Sequence, residues 1–260
     1  MSSLIDTHCH LYYEPYILDL NKTLIECEEK NVKFFLTISV DYNTSKKNLE
    51  ISRKYNQVYC TVGLHPNNVQ SNKSDLENIL SLVSTNKKII GIGECGIDLF
   101  RSKDNLKDQI TCFEKQIIKS LELNMPFVVH TRNADEYTYE VINKFRNKNL
   151  NFVIHCFSGS YQFAKKCIDL GGYISFGGSL TFKKNNILRD VCKKIPIDNI
   201  ILETDSPYLA PDPHRGKINH PMYTELVAKK IADEKKISIE DVTAYTFHNF
   251  EKIFNIKLLK

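Results

Sequence analysis

Eight short apolar runs recur along this chain, separated by longer stretches of helical periodicity, and this alternation constrains the fold more than any other feature. The runs cover residues 4–8, 33–39, 58–63, 89–94, 127–130, 152–155, 173–176 and 200–204. They are rich in β-branched and aromatic residues and apolar at consecutive positions, as a parallel strand buried on both faces requires. Between them lie amphipathic segments such as Ile17–Lys30, Leu106–Leu123, Ala134–Lys144 and Tyr161–Leu170. Eight such alternations predict an α/β protein, a single (β/α)8 TIM-type barrel over residues 1–260. A barrel of this kind takes roughly 250 residues, so the length fits one domain. No Gly-rich dinucleotide fingerprint, P-loop, internal repeat or low-complexity linker interrupts the pattern.

Polar residues end several of these runs. His8 and His10 close Ile5-Asp-Thr-His-Cys-His10, Glu94 closes Gly91-Ile-Gly-Glu94, and His130 closes Phe127-Val-Val-His130. His155 follows Phe152-Val-Ile, and Asp205 follows Ile200-Ile-Leu-Glu-Thr. Four imidazoles and two carboxylates suit one or two divalent cations. Barrel enzymes carry their active sites at the C-terminal ends of the strands, where all six residues are expected. Residues two apart in a strand share a face, so Asp6, His8 and His10 point inward together, as do Glu203 and Asp205. Asp6 and Glu203 are therefore expected to take an imidazole N–H, the alternative being pairing with lysines or arginines at the barrel bottom. Cys9, Cys95 and Cys156 each follow a ligand and turn away from it as packing groups. The residues alone point to metal-assisted hydrolysis.

Composition narrows the class. With 42% hydrophobic and 25% charged residues the chain can bury a sizeable core. It has no apolar run of about 18 residues, so no membrane span or membrane partner is expected. The N-terminus enters its first strand almost at once, and a cytoplasmic address follows. Eight cysteines without a Cys-x-x-Cys pair read as reduced, buried thiols. A net charge of +4 bears on nucleic acid only where the cations cluster. Arg132, and Arg215 with Lys217 in a Pro-rich loop, are placed to grip phosphates. His65, ending the third run, is placed to contact a phosphate oxygen or assist proton transfer. Phe100, Phe157, Tyr161 and Tyr208 are expected near the mouth, available to stack on bases, and His248 is expected to be structural.

Taken in order, the motifs Asp6-Thr-His-Cys-His-Leu11, Gly63-Leu-His-Pro66, Gly93-Glu-Cys-Gly-Ile-Asp98, His130-Thr-Arg132, His155-Cys-Phe-Ser-Gly159, Tyr173-Ile-Ser-Phe-Gly177, Glu203-Thr-Asp-Ser-Pro-Tyr-Leu209 and His214-Arg-Gly-Lys217 span the chain. Together they resemble the TatD family of metal-dependent deoxyribonucleases, particularly its YcfH-like branch. The chain departs from the common family wording at His220, Cys95 and Leu99. The resemblance implies two divalent cations (zinc, manganese or magnesium). It assigns His8 and His10 to the first, His130 and His155 to the second, Glu94 to a bridge, and Asp205 to the first cation and the attacking water. It also implies 3′-to-5′ cleavage of single-stranded DNA by a monomer. The alternative is hydrolysis of an ester or amide, such as an aminoacyl-tRNA or a small molecule. Many amidohydrolase-like barrels acting on such bonds carry a carboxylated lysine where this chain has Glu94. Binding without turnover would be expected to cost a ligand, and none is missing.

Overall fold

The protein is described by a computed structural model covering residues 3–101 and 103–258. Its strands are β1 (Leu4–Cys9), β2 (Val32–Thr37), β3 (Val58–Val62), β4 (Ile89–Asp98), β5 (Phe127–Arg132), β6 (Phe152–Ile154), β7 (Gly172–Phe176) and β8 (Ile200–Leu202). The helices are α1 (Leu20–Glu28), α2 (Tyr42–Lys54), α3 (Val69–Asn72), α4 (Leu76–Ser81), α5 (Leu106–Glu122), α6 (Asp135–Asn143), α7 (Tyr161–Asp169), α8 (Asn186–Lys194), α9 (Thr224–Lys235) and α10 (Ile239–Ile253). The strands form one sheet in the order β1 to β8. Strands and helices alternate in the (β/α)8 manner that the apolar runs predict. Every residue of β1, β4 and β7 is buried, which is why these segments read as continuous apolar runs rather than alternating ones.

Local chemistry starts the helices where the periodicity begins. The Asp41 carboxylate accepts from the Thr44 N–H at 2.8 Å while the Thr44 hydroxyl meets the Asp41 N–H, a reciprocal cap on α2. Ser238 and Asp241 form the same device on α10. Each satisfies backbone donors that the first helical turn would otherwise leave open.

Residue contacts group the chain into two compact units. One comprises Met1–Thr37, Cys156–Ala164 and Ile174–Lys260. In it β1 pairs with β2 and β7 with β8, all parallel. The segment after β8 runs along the end of β1: Asp205 N–H donates to His8 O at 2.9 Å, and His10 N–H to Ser206 O at 2.9 Å. Phe157, expected at the mouth, is instead buried and stacks on Phe163 with centroids 5.9 Å apart. Its N–H donates to Ser175 O, which draws the ring down into the core. Tyr161 carries the Lys194 ammonium 5.5 Å from its ring centre. His248 lies exposed on α10.

The other unit comprises Ile38–His155 and Lys165–Tyr173, with β3 to β6. Here β4 departs from the expected boundary, continuing past Glu94 to Asp98. Its pairing with β5 steps from Ile92↔Phe127 to Cys95↔Val129, three residues against two. The extra residue makes a bulge at Gly93–Glu94, and Glu94 N–H donates to Ser39 O at 2.8 Å. Glycine is required around it. Gly93 has φ +143° and Gly96 φ +133°, and a Cβ on Gly96 would lie 2.0 Å from His130 O. All eight cysteines are free thiols, seven of them buried, as the sequence implies.

Gly96→Ala must push β5 aside as well as strain the backbone, and should cost about 3 kcal/mol. In a chain of this length that lowers Tm by about 6–12 °C, measurable by thermal unfolding.

Candidate active site

The bulge in β4 turns the Glu94 side chain into a ring of histidines, each delivered by a different segment of its unit. Glu94 Oε1 lies 2.7 Å from His155 Nε2, 2.9 Å from His130 Nδ1 and 3.4 Å from His65 Nε2. His130 sits inside β5, and His155 follows β6, its N–H extending the ladder to Val129 O. His65 caps the turn Pro66–Asn68 after β3. Burial opposes the charge on Glu94. The neighbouring imidazoles of His155 and His65, with hydrogen bonds from His130 and His155, nevertheless hold its carboxyl well below the usual range.

The histidines differ in what their other nitrogen meets. His65 Nδ1 accepts the Asn67 N–H at 3.0 Å, so the proton of the neutral ring sits on Nε2, facing Glu94. Burial lowers the His65 pKa and keeps the ring neutral. In this tautomer His65 is a hydrogen-bond donor toward the site, with no lone pair left there for a cation. His130 is set the opposite way. Its Nε2 lies 3.1 Å from Asp98 Oδ2, which turns Nδ1 toward Glu94 and to 3.3 Å from His155 Nε2.

Two imidazole nitrogens and a carboxylate oxygen converging this closely require a positive centre among them. A proton on His130 can serve: burial pulls its pKa down, but the hydrogen bonds to Asp98 and Glu94 outweigh that and raise it overall. A divalent cation would meet the same need with the ring neutral, so these donors fit a metal. His65 lies within 4.8 Å of Glu94 and His130 beside these donors, facing them as a hydrogen-bond donor.

Asp98 is the functional residue that sequence reasoning passed over, although it stands within the Gly93–Asp98 motif. Its Oδ1 accepts the N–H groups of Phe100 (2.9 Å) and Arg101 (3.0 Å), and its Oδ2 takes Asn67 Nδ2 (3.1 Å) besides His130. Burial works against its charge, but the hydrogen bonds, that from His130 foremost, drive its pKa far below the carboxylate range. The one available signal was parity, since Asp98 lies four residues after Glu94 on the same strand.

The other unit presents a second donor set. His8 Nε2 and His10 Nε2 lie 3.7 and 3.4 Å from Asp205 Oδ1, their rings edge to face with centroids 5.3 Å apart. Asp205 takes the left-handed backbone (φ +56°), a conformation a short polar side chain tolerates. The carboxylates expected to support these imidazoles accept other hydrogen bonds here. Asp6 accepts from Thr204 N–H (2.9 Å) and the Thr204 hydroxyl (2.5 Å), and Glu203 from Cys156 N–H and the Ser175 hydroxyl (2.6 Å each). Through these bonds both carboxylates tie down the segments that carry the candidate ligands. Neither pairs with a lysine or arginine in these bonds.

Comparison with known proteins decides the family. The family model described as TatD related DNase matches residues 5–255. The chain is 34% identical over 254 residues to the uncharacterized metal-dependent hydrolase YabD of Bacillus subtilis, covering 97% of this chain and 99% of that one. The chain belongs to the TatD family. It is also 34% identical to the uncharacterized metal-dependent hydrolase YcfH of Escherichia coli, over 97% of this chain and 96% of the relative. Among solved structures, the TatD homolog YJJV of Escherichia coli superposes with a TM-score of 0.92 at 24% identity, over 98% of each chain. A TatD family hydrolase of Entamoeba histolytica gives 0.85 at 22% identity, over 97% of this chain and 98% of the other. Below 25% identity these structures speak for the fold. The chain is thus a TatD-family metal-dependent hydrolase whose His, Glu and Asp clusters are able to hold metal ions.

The expected substrate-gripping residues of this TatD-family chain lie on exposed ends. Arg132 ends β5, its guanidinium 3.9 Å above the Phe100 ring. Arg215 lies 4.1 Å above the Phe182 ring, and Lys217 is exposed two residues further on.

Asp98→Asn should keep the fold but weaken metal affinity about 10- to 100-fold, because the amide no longer fixes the His130 tautomer with a charge. Titration calorimetry of stripped protein with manganese or zinc measures this. In the wild type, saturating metal at about 100 Kd should add about 2.7 kcal/mol of stability, visible as a raised Tm that EDTA reverses.

Proposed function

We propose that the chain hydrolyses phosphodiester bonds of DNA, releasing nucleotides from the 3′ end of single strands, with the two donor sets serving one reaction on two divalent cations. The observation that carries this reading is Glu94, a carboxylate held charged by three imidazoles. A carboxylate at that point suits divalent cations that face a phosphate, and it stands where ester- and amide-cleaving relatives of the superfamily often carry a carboxylated lysine. The family model's own description, TatD related DNase, supports the same substrate.

Divalent cations in such a site neutralise the phosphate and make a bound water acidic enough to attack near neutral pH. In this reading His8, His10 and Asp205 would hold one cation, and Glu94, His130 and His155 the other. Asp205 orients the attacking water and takes its proton. The water oxygen bonds to phosphorus as the bond to the 3′ oxygen breaks; that oxygen takes up a proton, leaving a 3′-hydroxyl on the shortened strand and a 5′-phosphate on the released nucleotide. His65, with its proton on Nε2, donates a hydrogen bond to a non-bridging phosphate oxygen. Asp98 holds the His130 ring in the tautomer that aims Nδ1 inward. Arg132, Arg215 and Lys217 contact neighbouring phosphates by charge-assisted hydrogen bonds.

End-labelled single-stranded DNA incubated with stripped protein and magnesium, manganese or zinc should give a ladder shortening from the 3′ end. Glu94→Gln and Asp205→Asn should each lower turnover at least about a hundredfold, the scale of losing one charge-stabilising group. Cleavage of an aminoacyl-tRNA or a small ester, with none of DNA, would replace the nuclease reading by ester hydrolysis in the same site. Arg132→Ala, Arg215→Ala and Lys217→Ala should each weaken binding and reduce the slope of log K against log salt by about 0.7.

A further inference from the structure

His10 is the inner end of a chain of aromatic rings that runs outward to solvent within its own unit. Its ring lies edge to face with Tyr12 (centroids 5.6 Å, 76°) and with Tyr208 (6.0 Å, 72°). Tyr13 in turn meets Tyr208 at 6.1 Å and 70° and Tyr12 at 6.0 Å. The outer two rings are open to solvent, Tyr13 being 42% and Tyr208 48% exposed. Edge-to-face packing covers at most one face of the ring that receives the edge, and the exposure of Tyr13 and Tyr208 leaves flat surface at which a further ring can stack.

The backbone beneath Tyr208 is held firmly. Its N–H donates to Asp205 O at 2.8 Å, and its carbonyl accepts from the buried Asn219 side chain at 2.6 Å. The same amide nitrogen donates to Thr204 O at 2.7 Å, tying the turn to the segment that carries Asp205. An exposed ring on a rigid turn three residues from a candidate metal ligand is poorly explained by packing alone. The loop that continues from Tyr208 carries the exposed cations Arg215 and Lys217.

We infer that Tyr13 and Tyr208 form a site for one unpaired nucleobase, stacked on one ring and edged by the other, beside the phosphate that His10 and Asp205 serve. This rests on the phosphodiesterase reading and specifies its substrate: a single strand, whose bases are free to leave their neighbours. Flat faces rimmed by phenolic hydroxyls suit a base, and the cations of the same loop suit the phosphates on either side of it. Stacking of this kind tolerates every base, because each presents a π-face. A paired duplex offers no such face, so the site discriminates by strandedness rather than by sequence.

The test is fluorescence anisotropy in EDTA, where nothing is cleaved, using a labelled thymidine oligonucleotide and an equally long, wholly abasic one. Wild type should prefer the thymidine strand. Tyr208→Leu and Tyr13→Leu should each weaken its binding about tenfold, leave abasic binding unchanged, and keep the wild-type Tm. Tyr208→Phe should restore the preference, since the ring and not the hydroxyl does the stacking. Equal affinity of wild type for both strands, or equal losses on both in the leucine variants, overturns the stacking site while leaving the phosphodiesterase reading standing. Binding of neither strand in EDTA also overturns the stacking site, and the cleavage assay with added metal then decides the phosphodiesterase reading.

Discussion

Glu94 is the constraint around which its half of the chain is organised. A carboxylate buried this deeply is costly unless hydrogen-bond donors or positive charge meet it, and His65, His130 and His155 converge on it from three different segments. Bringing those segments to one oxygen requires a strand that bends where its partners do not. The bulge at Gly93–Glu94 provides the bend, and glycines at 93 and 96 admit the neighbouring strand at distances no Cβ would allow. The backbone of β4 is therefore shaped by the site as much as by the sheet.

Two histidines on the same carboxylate do different work because of what lies behind them. A backbone N–H behind His65 consumes its Nδ1 lone pair and leaves a proton facing inward. A carboxylate behind His130 accepts a hydrogen bond from its Nε2–H and leaves a lone pair, or a shared charge, facing inward. Neither difference resides in the imidazole. It is set by Asn67 and Asp98, which themselves interact at 3.1 Å, so one small network assigns donor and ligand roles together. The second donor set is organised through backbone, with Asp6 and Glu203 gripping the segments beside His8, Asp205 and His155.

The strand–helix alternation was legible because burial on both faces leaves a continuous apolar run, a signal that needs no knowledge of neighbours. The helix limits follow equally local causes, such as the reciprocal cap of Asp41 and Thr44. The ligand-type residues were legible because His and carboxylate at the ends of such runs break the apolar pattern. Phe157 was misjudged because an aromatic after a strand looks the same in sequence whether it turns outward or, as here, under Phe163.

What the sequence determined by itself is the repertoire: eight buried strands, their order along the chain, and which polar groups end them. What the tertiary structure decided is the use of each group. Glu94 stands within a ten-residue strand, and only the mismatch of three residues on β4 against two on β5 re-aims it. Asp98 orients the His130 imidazole, because hydrogen-bond partners are chosen by distances across strands. Periodicity reports which face a residue occupies; which atom it meets there depends on registers and bulges that arise when separate segments pack.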